Sequence, residues 1–357
     1  MTTPTRFRQR VRYVDASDGT RLAWAESGDG PPIVKAANWL THLEYEWESP
    51  VWKHWLQFFS AHWRFVRYDE RGCGMSEWRG GLSPEQWAAD LGSVIDAARP
   101  TGPVTLFGIS QGAATCINYA IRHPDRVDRM VLYGGYARGA LRRGTPATKQ
   151  AYQAMADLAR ANWGKDNPTF RQVFTSRFIP GGSQEQLQWF NELCLKTISD
   201  EVAADLIEAR GAVDVAASLA AVRTPTLVLH ARGDEAVPVA EARLLASGIP
   251  GAEFVELDSR NHILLAHEPA WQRFCDAVLA FLQPGATAGG SVFAALSGRE
   301  RQVLALMAEG LSNTDIAERL TISEKTVRNH ASNLFDKLGV WSRAQAIVFA
   351  RDHDFSA

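Results

Sequence analysis

No apolar run in this chain approaches the ~18 residues that a helix needs to cross a membrane. The start, Met1 to Val14, holds four arginines and no apolar stretch, which is unlike a secretion signal. Cysteine is scarce. The four present, Cys73, Cys116, Cys194 and Cys275, are scattered without metal-ligand spacing, which argues against a disulfide framework and a cysteine-built metal site. The expectation is a cytoplasmic protein with reduced thiols, no membrane contact, and neither metal nor cofactor. Charge of one sign is lacking too: 38 Lys and Arg stand against 40 Asp and Glu, a net charge of −2. Global charge therefore does not announce a nucleic-acid partner. The segment from Phe293 onward is neutral by itself, with eight basic and eight acidic residues. Internal repeats are absent.

What is plentiful is length and tryptophan. A chain of 357 residues is long enough for two domains. Of twelve tryptophans, seven cluster early: Trp39, Trp47, Trp52, Trp55, Trp63, Trp78 and Trp87. Large aromatics are mostly core, yet they also line apolar ligand pockets. Trp39, Trp163 and Trp189 are the pocket candidates.

Arg12–Val14 and Thr20–Glu26 read as a short antiparallel pair around Ser17-Asp18-Gly19. Strands then alternate with helices: Pro32–Ala37, helix Pro50–His62, Arg64–Tyr68, a helix capped by Ser83 and running to about Arg99, Val104–Ile109, helix Ala113–Arg122, and Arg129–Tyr133. This alternation predicts a mostly parallel sheet covered on both faces. Gly139 to Leu219 shows helical stretches and no convincing strand, as a cap inserted over the sheet would; the cap is placed at about 139–222. Thr226–His230, helix Pro238–Ser247, Phe254–Leu257 and helix Glu268–Leu282 resume the pattern. Small residues from Gln283 to Ser291 read as a linker. The division is therefore 1–283, a linker 284–292, and 293–357.

Gly108-Ile109-Ser110-Gln111-Gly112 follows a predicted strand and opens a predicted helix, the context of a nucleophile elbow. A serine hydroxyl needs a base, and the base an orienting carboxylate. Asp234, after the strand Thr226–His230, is the candidate acid, and His262, in Arg260-Asn261-His262, the candidate base. Both follow strand C-termini, where open α/β sheets place their sites. His267 is the rival base; Glu235 and Asp258 are rival acids. The oxyanion hole is expected from the backbone N–H groups of Gln111 and Trp39.

With Asp69-Glu70-Arg71-Gly72-Cys73-Gly74-Met75-Ser76, Gly233-Asp234 with Val237-Pro238, and Asn261-His262, residues 10 to 283 resemble the α/β-hydrolase superfamily, in its branch of small capped hydrolases. The resemblance implies ester, lactone, amide or carbon–carbon bond chemistry. Relatives usually carry His-Gly in the loop after the third strand, where this sequence has Ala37-Asn38-Trp39. Lys35 is also unusual in a buried parallel strand.

The C-terminal segment reads as four short helices. Ser297-Gly-Arg-Glu300 is a capping box for the first, which Gly310 ends. Ser312 caps Thr314–Leu320; Ser323 caps Glu324–Leu338, ended by Gly339; Ser342-Arg-Ala-Gln345 opens the last. Val327, Ala331, Leu334, Phe335 and Leu338 share one face of the third helix, and Lys325, Arg328, Asn329 and Ser332 the other. The latter suit base edges and phosphates. A helical protein-interaction domain is the alternative. Leu296-Ser-Gly-Arg-Glu300, Gly310-Leu-Ser-Asn313, Ile316-Ala317, Ile322-Ser-Glu-Lys-Thr-Val-Arg-Asn-His330, Lys337-Leu-Gly-Val340 and Arg343 resemble the LuxR-type DNA-binding domain end to end. The resemblance implies that the third helix enters the major groove, with Arg328, Asn329 and Ser332 toward bases and Lys325, Thr326 and His330 toward phosphates, and that the last helix forms a dimer contact.

The expected architecture is an α/β-hydrolase fold with a helical cap, followed by a small all-α helix-turn-helix domain. The expected function is a ligand-responsive transcription regulator, dimeric on double-stranded DNA, whose hydrolase-like domain binds a small apolar ester-, lactone- or aromatic-type molecule. The alternative is an active Ser-His-Asp hydrolase with an appended DNA-binding domain.

Overall fold

The computed structural model describes residues 8–165, 169–283, 293, 296–338, 340, 342–352 and 355. They divide into two compact units, Met1–Leu279 and Ala280–Ala357. The expected linker, 284–292, and the helix stop expected at Gly339 lie outside the described residues.

In the first unit, β1 (Arg10–Asp15) and β2 (Arg21–Ser27) pair antiparallel as the turn residues predict. β3 (Pro32–Ala36) follows, then α1 (Leu43–Trp47), α2 (Lys53–His62) and β4 (Arg64–Tyr68). α1 was not foreseen: five residues carry no readable period. α2 starts at Lys53 rather than Pro50. Ser83 caps α3 (Pro84–Ala98), its hydroxyl accepting from Gln86 N, and Arg99 closes the helix in the left-handed region. β5 (Val104–Ile109), α4 (Gly112–Arg122) and β6 (Val127–Tyr133) come next. Four cap helices are described, α5 (Pro146–Asn162), α6 (Thr169–Phe178), α7 (Gln184–Thr197) and α8 (Asp200–Gly211). Only an isolated bridge between Arg138 and Asp214 interrupts the helical character there among the described residues. β7 (Thr226–Ala231), α9 (Val239–Gly248), β8 (Glu253–Leu257) and α10 (Pro269–Leu282) follow, the unit boundary falling in the last turn of α10.

The eight strands lie in the order β1-β2-β4-β3-β5-β6-β7-β8. Strand β2 runs antiparallel to β4, and every later pairing is parallel. The central strands are buried almost throughout because helices cover both faces. Leu106, Met130 and Leu132 face α3 and α4 with Leu91, Val94 and Ile117. Their neighbours Phe107 and Tyr133 take part in an aromatic layer with Trp55 and Phe59 of α2 and Trp271 and Phe274 of α10, ring centres 4.5–6.4 Å apart. Of the early tryptophans, Trp55 is thus a packing group, and Trp52, Trp63 and Trp87 are buried as well.

The second unit contains α11 (Gly298–Ala308), α12 (Asn313–Leu320), α13 (Glu324–Leu338) and α14 (Arg343–Asp352). Capping boxes open α11 (Ser297 with Glu300) and α12 (Ser312 with Asp315). Val303, Leu304, Met307, Ile316, Val327, Leu334 and Ala346 form its own core. Glu300, nearly buried, also receives Lys337 Nζ at 2.7 Å, which ties α11 to α13.

Candidate active site and nucleic-acid interface

Ser110 sits between β5 and α4 at φ +54°, a left-handed conformation that costs a non-glycine residue about 1–2 kcal/mol. Its N–H donates to Tyr133 O at 3.0 Å, and its carbonyl accepts from Ala113 N at 3.1 Å. These bonds hold the strained turn. At Gly108 a Cβ would lie 2.8 Å from the backbone of Ala113, so only glycine lets helix and strand approach this closely.

Asp234 and His262 are brought together: Nδ1 lies 2.6 Å from Oδ2. The other carboxylate oxygen accepts from Ala236 N and Val237 N at 2.8 and 2.9 Å. Burial pushes the Asp234 carboxyl up, but His262, His230 and the Val237 N–H outweigh it, and the group stays below its ordinary value. With Nδ1–H donating to the carboxylate, Nε2 keeps its lone pair. That nitrogen is buried and has no hydrogen-bond partner among the described residues. The expected Ser110–His262–Asp234 chain is therefore formed at its Asp–His joint and open at its Ser–His joint. Catalytic hydrogen bonds often tighten only around substrate. Of the rivals, Asp258 pairs with Arg232, Glu235 pairs with Arg260, and His267 is exposed. His230 was not foreseen: it flanks Asp234 at 3.5 Å and donates to Val237 O.

The loop after β3 turns without a glycine. The positive φ falls on Leu40, at +60°. Buried Lys35 donates to Asn38 Oδ1, and Asn38 Nδ2 to Trp39 O at 3.2 Å. Burial lowers the Lys35 ammonium to about 8. Neither Trp39 N–H nor Gln111 N–H donates to another described residue. The Asp69–Ser76 stretch clamps this loop: Asp69 accepts from Leu43 N and Met75 N, and Glu70 N donates to Thr41 Oγ1.

A cavity of about 90 Å³ lies against Ser110, lined by Trp39, Tyr136, Tyr152, Phe174 and Phe178, and by Arg143, Arg177 and Arg210. Of the three tryptophans expected to line it, only Trp39 does. Trp163 is fully buried, its indole N–H bonded to Cys194 O and its ring edge-on to Trp39, so it belongs to the cap core. Trp189 stacks on Tyr45 at 5.0 Å. The arginines and tyrosines escaped sequence reasoning because nothing local marks a cap side chain as facing the elbow. A larger open groove, about 560 Å³ between α6 and α7, contains neither nucleophile nor base pair.

On α13, Lys325, Arg328, Asn329 and Ser332 are exposed, while Val327, Ala331 and Leu334 are buried. Arg328 rests on Glu324 at 3.2 Å, an exposed pair that is weak and readily exchanged. Thr326 and His330 are half-buried, and the Thr326 hydroxyl lies 2.8 Å from Ser323 Oγ at the helix start. The helix presents the polar face that the sequence predicts.

Comparison with known proteins agrees with both units. Residues 54–269 match the family model "Serine aminopeptidase, S33", and residues 294–350 match "Bacterial regulatory proteins, luxR family". The AB hydrolase superfamily protein YisY of Bacillus subtilis is 29% identical over 257 residues, covering 70% of this chain and 91% of that protein. The spore germination protein GerE of Bacillus subtilis is 53% identical over 53 residues, covering 15% of this chain and 72% of that protein. An esterase from Exiguobacterium antarcticum superposes with a TM-score of 0.66 at 22% identity, over 77% of this chain and all of that one, a likeness of fold. The first family model spans more than half the chain, and with the elbow, the sheet order and the helix-turn-helix in place, this protein belongs to the α/β hydrolases of the S33 serine aminopeptidase family and ends in a LuxR-family DNA-binding domain.

Proposed function

We propose that the protein is a cytoplasmic, homodimeric transcription regulator whose hydrolase-like unit binds a small ester- or lactone-type molecule, turns it over slowly, and thereby sets the DNA affinity of its LuxR-type unit. The observation that carries this reading is the joining, in one chain, of an elbow serine with a hydrogen-bonded Asp234–His262 pair to a helix-turn-helix whose polar face is open. In the chemical step, Ser110 Oγ attacks the carbonyl carbon and its proton passes to His262 Nε2. Asp234 steadies the imidazolium, and the N–H groups of Trp39 and Gln111 hold the oxyanion. The carbonyl carbon–oxygen single bond breaks, and the leaving alcohol takes the proton from His262. Water then enters by the same route in reverse and releases the acid. The unusual Ala37-Asn38-Trp39 loop supports slowness, since loss of one oxyanion donor costs about 10²–10³ in rate.

On DNA, two copies of α13 meet two half-sites about one helical turn apart, so the operator is a pseudo-palindrome. Ligand controls binding only through unequal affinity for the two states. The second reading, a working hydrolase with an appended DNA-binding domain, is favoured by the short Asp234–His262 bond. Anisotropy titration of a duplex selected from a random pool, with and without phenyl acetate, separates them. A ligand-dependent change in affinity supports the regulator; hydrolysis with unchanged DNA affinity supports the second reading. Failure of the full chain to select any sequence sinks the first.

A further inference from the structure

The cavity over Ser110 has three cationic side chains in its wall and no carboxylate among its lining residues. Arg210 is 5% exposed. Its Nη2 meets Glu70 and its Nε donates to Gln111 Oε1 at 3.3 Å, while Nη1 is buried with no partner among the described residues. The guanidinium lies 4.8 Å over the Trp39 ring, beside the nucleophile. Arg143 uses one N–H on Arg138 O and stacks on Tyr136; Arg177 reaches the Glu235 carbonyl at 3.2 Å. Among the described residues neither has a carboxylate partner, so two half-buried cations and one buried guanidinium edge converge on the same space. An unpaired buried cation edge is costly, and an anion in the cavity relieves that cost. A guanidinium fork matches a carboxylate in shape as well as charge.

We propose that the ligand of this cavity carries a carboxylate, held by Arg210 Nη1 together with Arg143 and Arg177, on the same small molecule whose ester or lactone carbonyl meets Ser110. This rests on the reading of the cavity as the ligand site, and it replaces the wholly apolar ligand that the tryptophans suggested. Glu70 engages Nη2 and leaves Nη1, the edge offered to the ligand, without a partner among the described residues.

The test titrates the full chain with benzoate and with its neutral counterpart benzamide, read by tryptophan fluorescence, since Trp39 lies under Arg210, and by calorimetry. Benzoate is expected to bind at least about tenfold more tightly than benzamide. Arg177→Gln, which gives up a carbonyl contact and a weak one to Met155 Sδ, and Arg143→Gln are each expected to weaken benzoate about tenfold while leaving benzamide unchanged. Equal affinity for the two probes, binding of neither, or a preference undiminished by both substitutions overturns the proposal. Hydrolysis of phenyl acetate and its effect on DNA binding use a neutral ester, so the broader reading stands or falls separately.

Discussion

Ser110 holds its left-handed backbone at a cost, and its position over the sheet edge is what that cost secures. Ser110→Ala is expected to abolish hydrolysis of p-nitrophenyl acetate, measured by nitrophenolate release; equal rates for the two proteins would remove the chemical step altogether. Gly134 lies at φ +58°, and a Cβ there would sit 3.0 Å from His262 Cε1. Gly134→Ala should therefore lower stability by about 1–2 kcal/mol and also displace the imidazole and reduce turnover. Gly251→Ala is the control, since Gly251 has φ +71° with nothing near its missing Cβ: it should cost stability alone. Away from the site, burial lowers His54 from 6.5 to about 4, with Leu264 O accepting from its Nε2. Between these values the unfolded chain binds a proton that the folded one refuses, so stability falls as pH drops through that window, by roughly 2 kcal/mol at pH 5. Urea melts at pH 7.5 and 5 should show this loss, and His54→Gln should reduce it, leaving the share of His42, His62 and His230, which burial also lowers. At this scale Ser110, Asp234 and His262 could be read because each lies in a local motif at a strand end. Arg143, Arg177 and Arg210 could not, because their meeting depends on how the cap folds back.

Among the elements, α13 was the most legible. Its apolar face recurs at helical spacing, and Ser323 marks its start. Arg328→Ala should weaken specific DNA binding by about 1–3 kcal/mol if its guanidinium meets a base pair bidentately, and relax preference at one position. Lys325→Ala should weaken binding to all sequences and reduce the salt slope by about one. Salt titrations of both variants check this; identical slopes for wild type and Lys325→Ala would move Lys325 off the phosphates. The cap helices were legible only as helices. The structure adds that His262 N donates to Phe178 O at 2.9 Å and Arg210 of α8 reaches Glu70 and Gln111. These bonds tie the cap to His262 and to Gln111, the residue after Ser110. Short α1 left no trace in the pattern, since five residues complete too few turns to show a period.

Among the described residues each unit has a hydrophobic core of its own, one around the sheet and one among α11 to α14. Ligand control is expected to need both units. A gel-shift titration with and without ligand, for the full chain and for residues 292–357, should show a ligand effect in the full chain alone. An equal effect on the shorter piece would place the ligand site in the DNA-binding unit. The amino-acid sequence by itself determined the two-part organisation, the alternation that builds a mostly parallel sheet, the elbow with its candidate acid and base, and the amphipathic helix α13. All of these rest on contacts or periodicities within a few residues, where chain geometry leaves little choice. Only the tertiary structure decided which side chains share the cavity. It set Trp163 into the cap core and Trp189 against Tyr45, and it surrounded Ser110 with arginines from three separate segments. Those juxtapositions arise from how the cap packs over the sheet, which no short stretch of the chain encodes.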